Sequence, residues 1–176
     1  TSHTATRSNL YPFIFYHVSK ALGLHSLVNK VDASVAVSPP AENLISSFFP
    51  REYRIIPNAI DVDQFSPDAE PISEYRDGRP TILFVGRVDD ERKGLDSLLL
   101  GFNHLRNERQ IDSRLLIVGP GDFHHKSREI LYAIDNRDII HIGAVPVQDL
   151  PRWYATADIC AFYAKYGEAF GVVLLE

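Results

Sequence analysis

Two carboxylates stand eight positions apart in the stretch Glu168-Ala-Phe-Gly-Val-Val-Leu-Leu-Glu176. Glu168 follows Gly167 and precedes Phe170-Gly171, which places it in a tight loop. Glu176 follows an apolar run that reads as the start of a helix. A loop carboxylate and a helix-borne one aimed into the same space could form an acid–base or acid–nucleophile pair for glycoside hydrolysis. Such pairs usually come from separated parts of a fold, whereas these two are joined by one loop and a helix turn. Binding fits them better, with one carboxylate accepting hydroxyl hydrogen bonds from a sugar and the other from a ribose. The alternative without function is a capping glutamate and an exposed helix glutamate.

Cations follow an earlier strand end, in Gly86-Arg-Val-Asp-Asp-Glu-Arg-Lys-Gly94. Gly86 lets backbone approach a ligand closely. The guanidinium fork of Arg87 and the point charge of Lys93 suit a diphosphate, although two solvated cations in a charged loop are the plain alternative. The spacing is not that of a phosphate-binding Gly-x4-Gly-Lys-Ser/Thr loop. Gly119-Pro-Gly121 lacks the third glycine of a dinucleotide fingerprint and reads as a tight strand-to-helix turn. His124-His125 have no third ligand at a metal-site spacing, so no metal is expected.

The elements that must position these groups alternate. Strands are expected over 81–85, 114–118, 139–142 and 159–163, and helices over 95–106, 126–134 and 150–157. Near-continuous apolar strands alternating with helices indicate an α/β fold with a parallel sheet covered on both faces. Ligands bind beyond the carboxyl ends of such strands, where Gly86-Arg87, Gly119-Pro-Gly121 and Gly167-Glu168 lie. Upstream, 33–38 reads as a buried strand, 41–49 as a short helix after the Pro39-Pro40 break, and 54–56 as a strand. Residues 61–80, rich in Asp, Pro and Gly, read as a linker between a first domain (1–60) and a second (81–176).

Composition excludes some classes. The 176 residues are 45% hydrophobic and 23% charged with a net charge of −5, ordinary for a globular protein and without a basic field for nucleic acid. The single Cys160 forms no internal disulfide, which makes a reducing cytoplasm the default, and its apolar surroundings predict a small core residue. No run of about 18 apolar residues predicts a membrane span. Methionine is absent, and a helix ending at Glu176 would be about one turn long. Both lead to the expectation that the sequence is a piece of a longer protein.

Together these pieces resemble the retaining glycosyltransferases of family 4, with the two-domain GT-B fold. The resemblance rests on Ile55-Ile-Pro-Asn-Ala-Ile-Asp61 with Phe65-Ser-Pro67, and on Ile82-Leu-Phe-Val-Gly-Arg87 with Arg92-Lys-Gly-Leu-Asp96. It extends over Leu115-Leu-Ile-Val-Gly-Pro-Gly121, Ile142-Gly-Ala-Val145, Tyr154-Ala-Thr-Ala-Asp158 and the Glu168–Glu176 stretch. It implies two Rossmann-like domains, here the end of the first and most of the second. It also implies roles. Arg87 and Lys93 hold the donor diphosphate, Glu168 contacts the transferred sugar and Glu176 the donor ribose. Phe170 and Gly171 lie against the donor, with a helix N-terminus near Val172 favouring its negative charge. Backbone near Val145 touches the base, and His3 faces the transferred sugar.

Cation and helix dipole replace a metal in this scheme, so no cofactor is implied beyond the nucleoside diphosphate sugar. Ser2-His-Thr4, the aromatic stretch after it and Arg87-Val-Asp-Asp-Glu-Arg-Lys93 resemble bacterial phosphatidylinositol mannosyltransferases, which implies GDP-mannose and a hydroxyl acceptor, glycan or lipid-linked. In that subfamily the aromatic segment lies near the membrane-facing surface. Tyr11, Phe13, Phe15 and Tyr16 with Arg7, Lys20 and Lys30 could form such a peripheral patch at the cytoplasmic membrane face, or a core-packing helix. The chain departs from the family at Ala59, where glycine is usual. The loop Val145-Pro-Val147 has no acid to pair with guanine, which leaves UDP-sugars open. A non-catalytic nucleotide-sugar-binding module is the competing class, and a dehydrogenase the weaker one. The stretch on its own is expected to be inactive, because half of the cleft would be missing.

Overall fold

The computed structural model describes residues 17–19, 23, 26 and 30–176. His3, Arg7, Lys20 and the aromatic stretch 10–16 lie outside the described residues. The chain divides into two compact units, Thr1–Ala59 and Ile60–Glu176.

In the first unit, β1 (Val35–Ala36) pairs in parallel with β2 (Arg54–Ile55), and α1 (Pro39–Ser46) connects them. The buried strand expected over 33–38 shrinks to two residues. Only Ala36 is buried, while Val35 is half exposed. The strand ends early because Ser38 starts the helix: its side chain accepts from the backbone N–H of Ala41 at 3.2 Å. Pro39 and Pro40 do not break the chain but form the first two helical positions, where a missing N–H has no intrahelical partner to lose.

The second unit holds the sheet. Its strands are β3 (Thr81–Val85), β4 (Arg114–Val118), β5 (Ile139–Gly143) and β6 (Ile159–Cys160), all parallel, in the order β5-β4-β3-β6. Between them run α2 (Leu95–Asn107), α3 (His125–Ala133) and α4 (Leu150–Thr156). Side chains alternate between the two faces of each strand. Phe84, Leu115 and Ile117 pack with Val88, Leu95, Leu99 and Phe102 on the face covered by α2 and α3. Leu83, Leu116 and Val118 face the other way, against Leu150, Trp153 and Tyr154 of α4. The segment 61–80 packs on this unit despite its linker composition. Tyr75 lies against the second core cluster, and the Ile72 N–H donates to Thr156 Oγ1 at 2.8 Å.

The strand order carries the functional consequence. The chain builds outward from β3 through β4 to β5, then returns to lay β6 on the opposite side of β3. The order reverses between β3 and β6, and the crevice at the carboxyl ends of those two strands is where a doubly wound sheet binds its ligand.

β6 also departs from expectation. It ends at Cys160, and Phe162 and Tyr163 leave the sheet to line a hollow. Cys160 is exposed, not a core residue; among the described residues β6 is an outer strand of the sheet. Burial of part of its surroundings still pushes the thiol pKa up, which disfavours thiolate chemistry.

Candidate donor site at the β3–β6 crevice

Lys93 follows β3 and Glu168 follows β6. The chain order places them on either side of the crevice, and their side chains meet: Lys93 Nζ donates to Glu168 Oε2 at 2.6 Å. Glu168 Oε1 accepts the backbone N–H of Gly171 at 3.0 Å. The Lys93 hydrogen bond, above all, holds Glu168 below the usual carboxylate range, helped by the N–H groups of Gly171 and Phe170 and opposed by partial burial. Both side chains are about one-third exposed. They line a hollow of about 120 Å³ with Gly171, Phe162, Tyr163 and Leu174.

Local backbone explains how the two loops come so close. Gly94 adopts φ 68°, and a Cβ there would lie 2.4 Å from the carbonyl oxygen of Tyr163. Only glycine lets the start of α2 pass under the Glu168 loop. Gly119 does the same one strand over, since a Cβ would stand 1.8 Å from the Gly86 carbonyl oxygen. Gly119-Pro-Gly121 is therefore a close-packed turn between the β3 and β4 loops.

The other expected residues are distributed differently. Arg87 is exposed and forms a two-pronged pair with Asp89, Nε to Oδ1 at 3.0 Å and Nη2 to Oδ2 at 2.6 Å. It does not line the Lys93–Glu168 hollow. Glu176 does not share a space with Glu168. It accepts from the Tyr154 hydroxyl at 2.6 Å and lines a separate hollow of about 300 Å³ with Phe65, Pro67 and Pro151. Burial, then the Glu176 carboxylate, pushes the Tyr154 phenol well above its ordinary pKa. The separation follows from what lies between the carboxylates. Between them lies a 3-10 turn, Val172–Leu174, entered through Gly171 at φ 76°. Phe170 is half-buried before that turn.

Val145 lines a third hollow, of about 410 Å³, with Ile142, Pro146, Asp149, Arg152 and Trp153. The acid absent from residues 145–147 is thus present in the same hollow as Asp149. Among the described residues no group of three or more His, Cys, Asp or Glu could hold a metal ion. His125 pairs with Glu129 at 3.7 Å. No helix of the described residues is long and apolar enough to cross a membrane. His3 lies outside the described residues.

Sequence reasoning gave no role to two residues beside the site, Asp96 and Lys165. Lys165 Nζ donates to Asp96 Oδ2 at 2.6 Å across 69 positions of sequence. No spacing rule connects residues that far apart. The faint signal was a lysine within three residues of Glu168.

Comparison with known proteins gives the family and the fold. The family model for glycosyl transferases group 1 matches residues 79–176. The phosphatidyl-myo-inositol mannosyltransferase of Mycobacterium tuberculosis is 31% identical over 179 residues, covering 100% of this chain and 44% of its own length. That of Mycolicibacterium smegmatis is 32% identical over 177 residues, with 100% and 43% covered. The chain thus spans less than half the length of these curated relatives. Among solved structures, WaaG, a glycosyltransferase involved in lipopolysaccharide biosynthesis, superposes with a TM-score of 0.64 at 21% identity over 80% of this chain and 40% of its own. A TarM variant of S. aureus, in complex with fondaparinux, alpha-GlcNAc-glycerol and UDP, gives 0.63 at 14% identity over 82% and 27%. These likenesses give the fold as that of the GT-B glycosyltransferases. With more than half of its residues matched by the family model, the chain belongs to the group 1 glycosyl transferases.

Proposed function

We propose that the protein carrying this chain transfers a hexose, mannose from GDP-mannose in the favoured reading, with retention, from a nucleoside diphosphate sugar to a hydroxyl acceptor that is lipid-linked or a phosphoinositide. The observation that carries this reading is the Lys93–Glu168 pair across the β3–β6 crevice, in a chain whose curated relatives bear a mannosyltransferase name. Departure of a nucleoside diphosphate builds negative charge on the phosphates and positive charge at the anomeric carbon. A fixed ammonium stabilises the first, and a carboxylate held ionised beside it faces the second. Arg87 adds a second cation. Its partner Asp89 is exposed, and an exposed pair is weak enough to yield to a diphosphate.

The hollow between Lys93 and Glu168 is too small for a whole nucleotide sugar, which needs several hundred Å³, so it takes the sugar end. Glu176 takes the ribose. The hollow beside Val145 takes the base, between the apolar Ile142 and Trp153 and the charged Asp149 and Arg152. Asp149 there supports guanine, whose adjacent N–H donors a single carboxylate can accept together. No metal or further cofactor enters the scheme. A lipid acceptor would bring the protein to the cytoplasmic face of a membrane.

A donor screen on the full-length protein tests the reading. Turnover with GDP-mannose and a phosphoinositide acceptor, lost in Glu168→Gln and in Arg87→Ala, is the expected result. Near wild-type rates in both variants would overturn the site assignment. Turnover with UDP-sugars alone, the donor class suggested by UDP in the TarM complex, would replace the donor, and binding without transfer would leave a nucleotide-sugar-binding module.

A further inference from the structure

Asp96 is a charged group in the core, its side chain 5% exposed, at the start of α2. Its Oδ2 accepts from Lys165 at 2.6 Å and from Lys126 of α3 at 3.1 Å, and its Oδ1 has no hydrogen-bond partner. Lys165 lies in the loop that carries Glu168, and Asp96 in the segment that carries Lys93. Lys165 joins them by its backbone as well, because its N–H donates to the Arg92 carbonyl at 2.8 Å. Its ammonium also lies 3.8 Å from Glu91.

We propose that Lys165 is a positioning residue for the transfer reaction: its bond to buried Asp96 clamps the Glu168 loop onto the Lys93 segment and sets where Glu168 stands against the sugar. This rests on the reading of Glu168 given above. The Lys93–Glu168 pair alone is a weak tether, since both groups are about one-third exposed and exposed pairs contribute little. A donor phosphate competing for Lys93 would loosen it further. The Lys165–Asp96 bond is better shielded, 18% and 5% exposed, and stays closed while Lys93 changes partner. Gly94, packed under Tyr163, leaves no slack between the two segments.

The test is steady-state kinetics and thermal melting of the full-length protein with GDP-mannose. Lys165→Met is expected to lower kcat by about 10- to 100-fold, the scale of a misplacement of roughly 1 Å, with donor KM changed less than about threefold. Lys165→Arg should recover most of the rate. Lys165→Met leaves Asp96 with Lys126 alone and should also lower the melting temperature. In Lys165→Met/Asp96→Asn the buried charge is gone, so the melting temperature should recover while kcat stays low. Recovery of kcat together with melting temperature would overturn the positioning role in favour of plain stabilisation. Wild-type kcat in Lys165→Met, with Glu168→Gln inactive, would overturn this inference alone. Wild-type kcat in Glu168→Gln would overturn the site reading and this inference with it.

Discussion

The two ends of the four-stranded sheet carry charges of opposite character. At the amino ends of the strands, cations and carboxylates from distant parts of the chain close on one another. Arg79 and Arg106 pair with Asp138 at 2.7 Å and 2.5 Å, and buried Arg114 pairs with Asp77 while lying over the Tyr75 ring. At the carboxyl ends, Arg87 and Arg92 pair only with carboxylates two residues away, Asp89 and Asp90. Their side chains are 60% and 54% exposed. Long-range, shielded pairs tie segments together. Local, exposed pairs tie little and can exchange partners. The amino-end pairs therefore serve stability, and the two carboxyl-end arginines are available to a ligand, while Lys165–Asp96 is the shielded, long-range pair at that end.

The sharpest way to break that contrast is at Glu168. Glu168→Gln keeps the shape and removes the charge, and in the full-length protein it should lower kcat by roughly 100- to 1,000-fold, the scale for losing one preorganised electrostatic group. The melting temperature should barely move. Arg114→Leu should show the reverse. A buried cation over Tyr75 is lost, and the melting temperature should fall by roughly 3–6 °C, with kcat of the folded protein unchanged. A loss of activity without a loss of stability there would contradict the division.

Acid titration sharpens the comparison. Glu168 has a folded pKa below its unfolded value, foremost because of Lys93. Its contribution is therefore complete above the unfolded carboxylate pKa and is lost as pH falls through the lower, folded one. In Lys93→Met the folded pKa rises toward the unfolded one. Melting temperatures followed between about pH 3 and pH 6 should then fall less with acid than in wild type, because less of the stability linked to Glu168 remains to be lost. An unchanged acid limb would mean that Lys93 does not hold Glu168. The smallest effect belongs to Asp89→Ala. It frees an exposed guanidinium, so the melting temperature should stay within error of wild type, while donor KM falls modestly if Arg87 meets the diphosphate. A destabilised variant would show that the Arg87–Asp89 pair is structural.

Much of this frame is legible in residue order. β3 and β4 have the bounds that their apolar runs predict, because strands buried on both faces need unbroken hydrophobic stretches. The glycines at the strand ends are legible too, since close turns leave no room for a Cβ. Poorly legible are the elements whose extent depends on neighbours. β6 stops at Cys160 because Phe162 and Tyr163 turn into the hollow. Glu168 and Glu176, which looked like a pair, line different hollows, because each is held by a partner distant in sequence, Lys93 for the first and Tyr154 for the second.

By itself, then, the sequence determined the alternation of strands and helices, the placing of Arg87, Lys93 and Glu168 at strand ends, and the family. These follow from periodicity and local chemistry, which residue order carries directly. Only the tertiary structure decided who partners whom. It set Lys93 against Glu168 across the strand-order reversal, Tyr154 against Glu176, Asp149 beside Val145, and Lys165 against Asp96. Those pairings depend on which strands become neighbours, and that is fixed by burying both faces of the sheet at once, a property of the whole chain and not of any one segment.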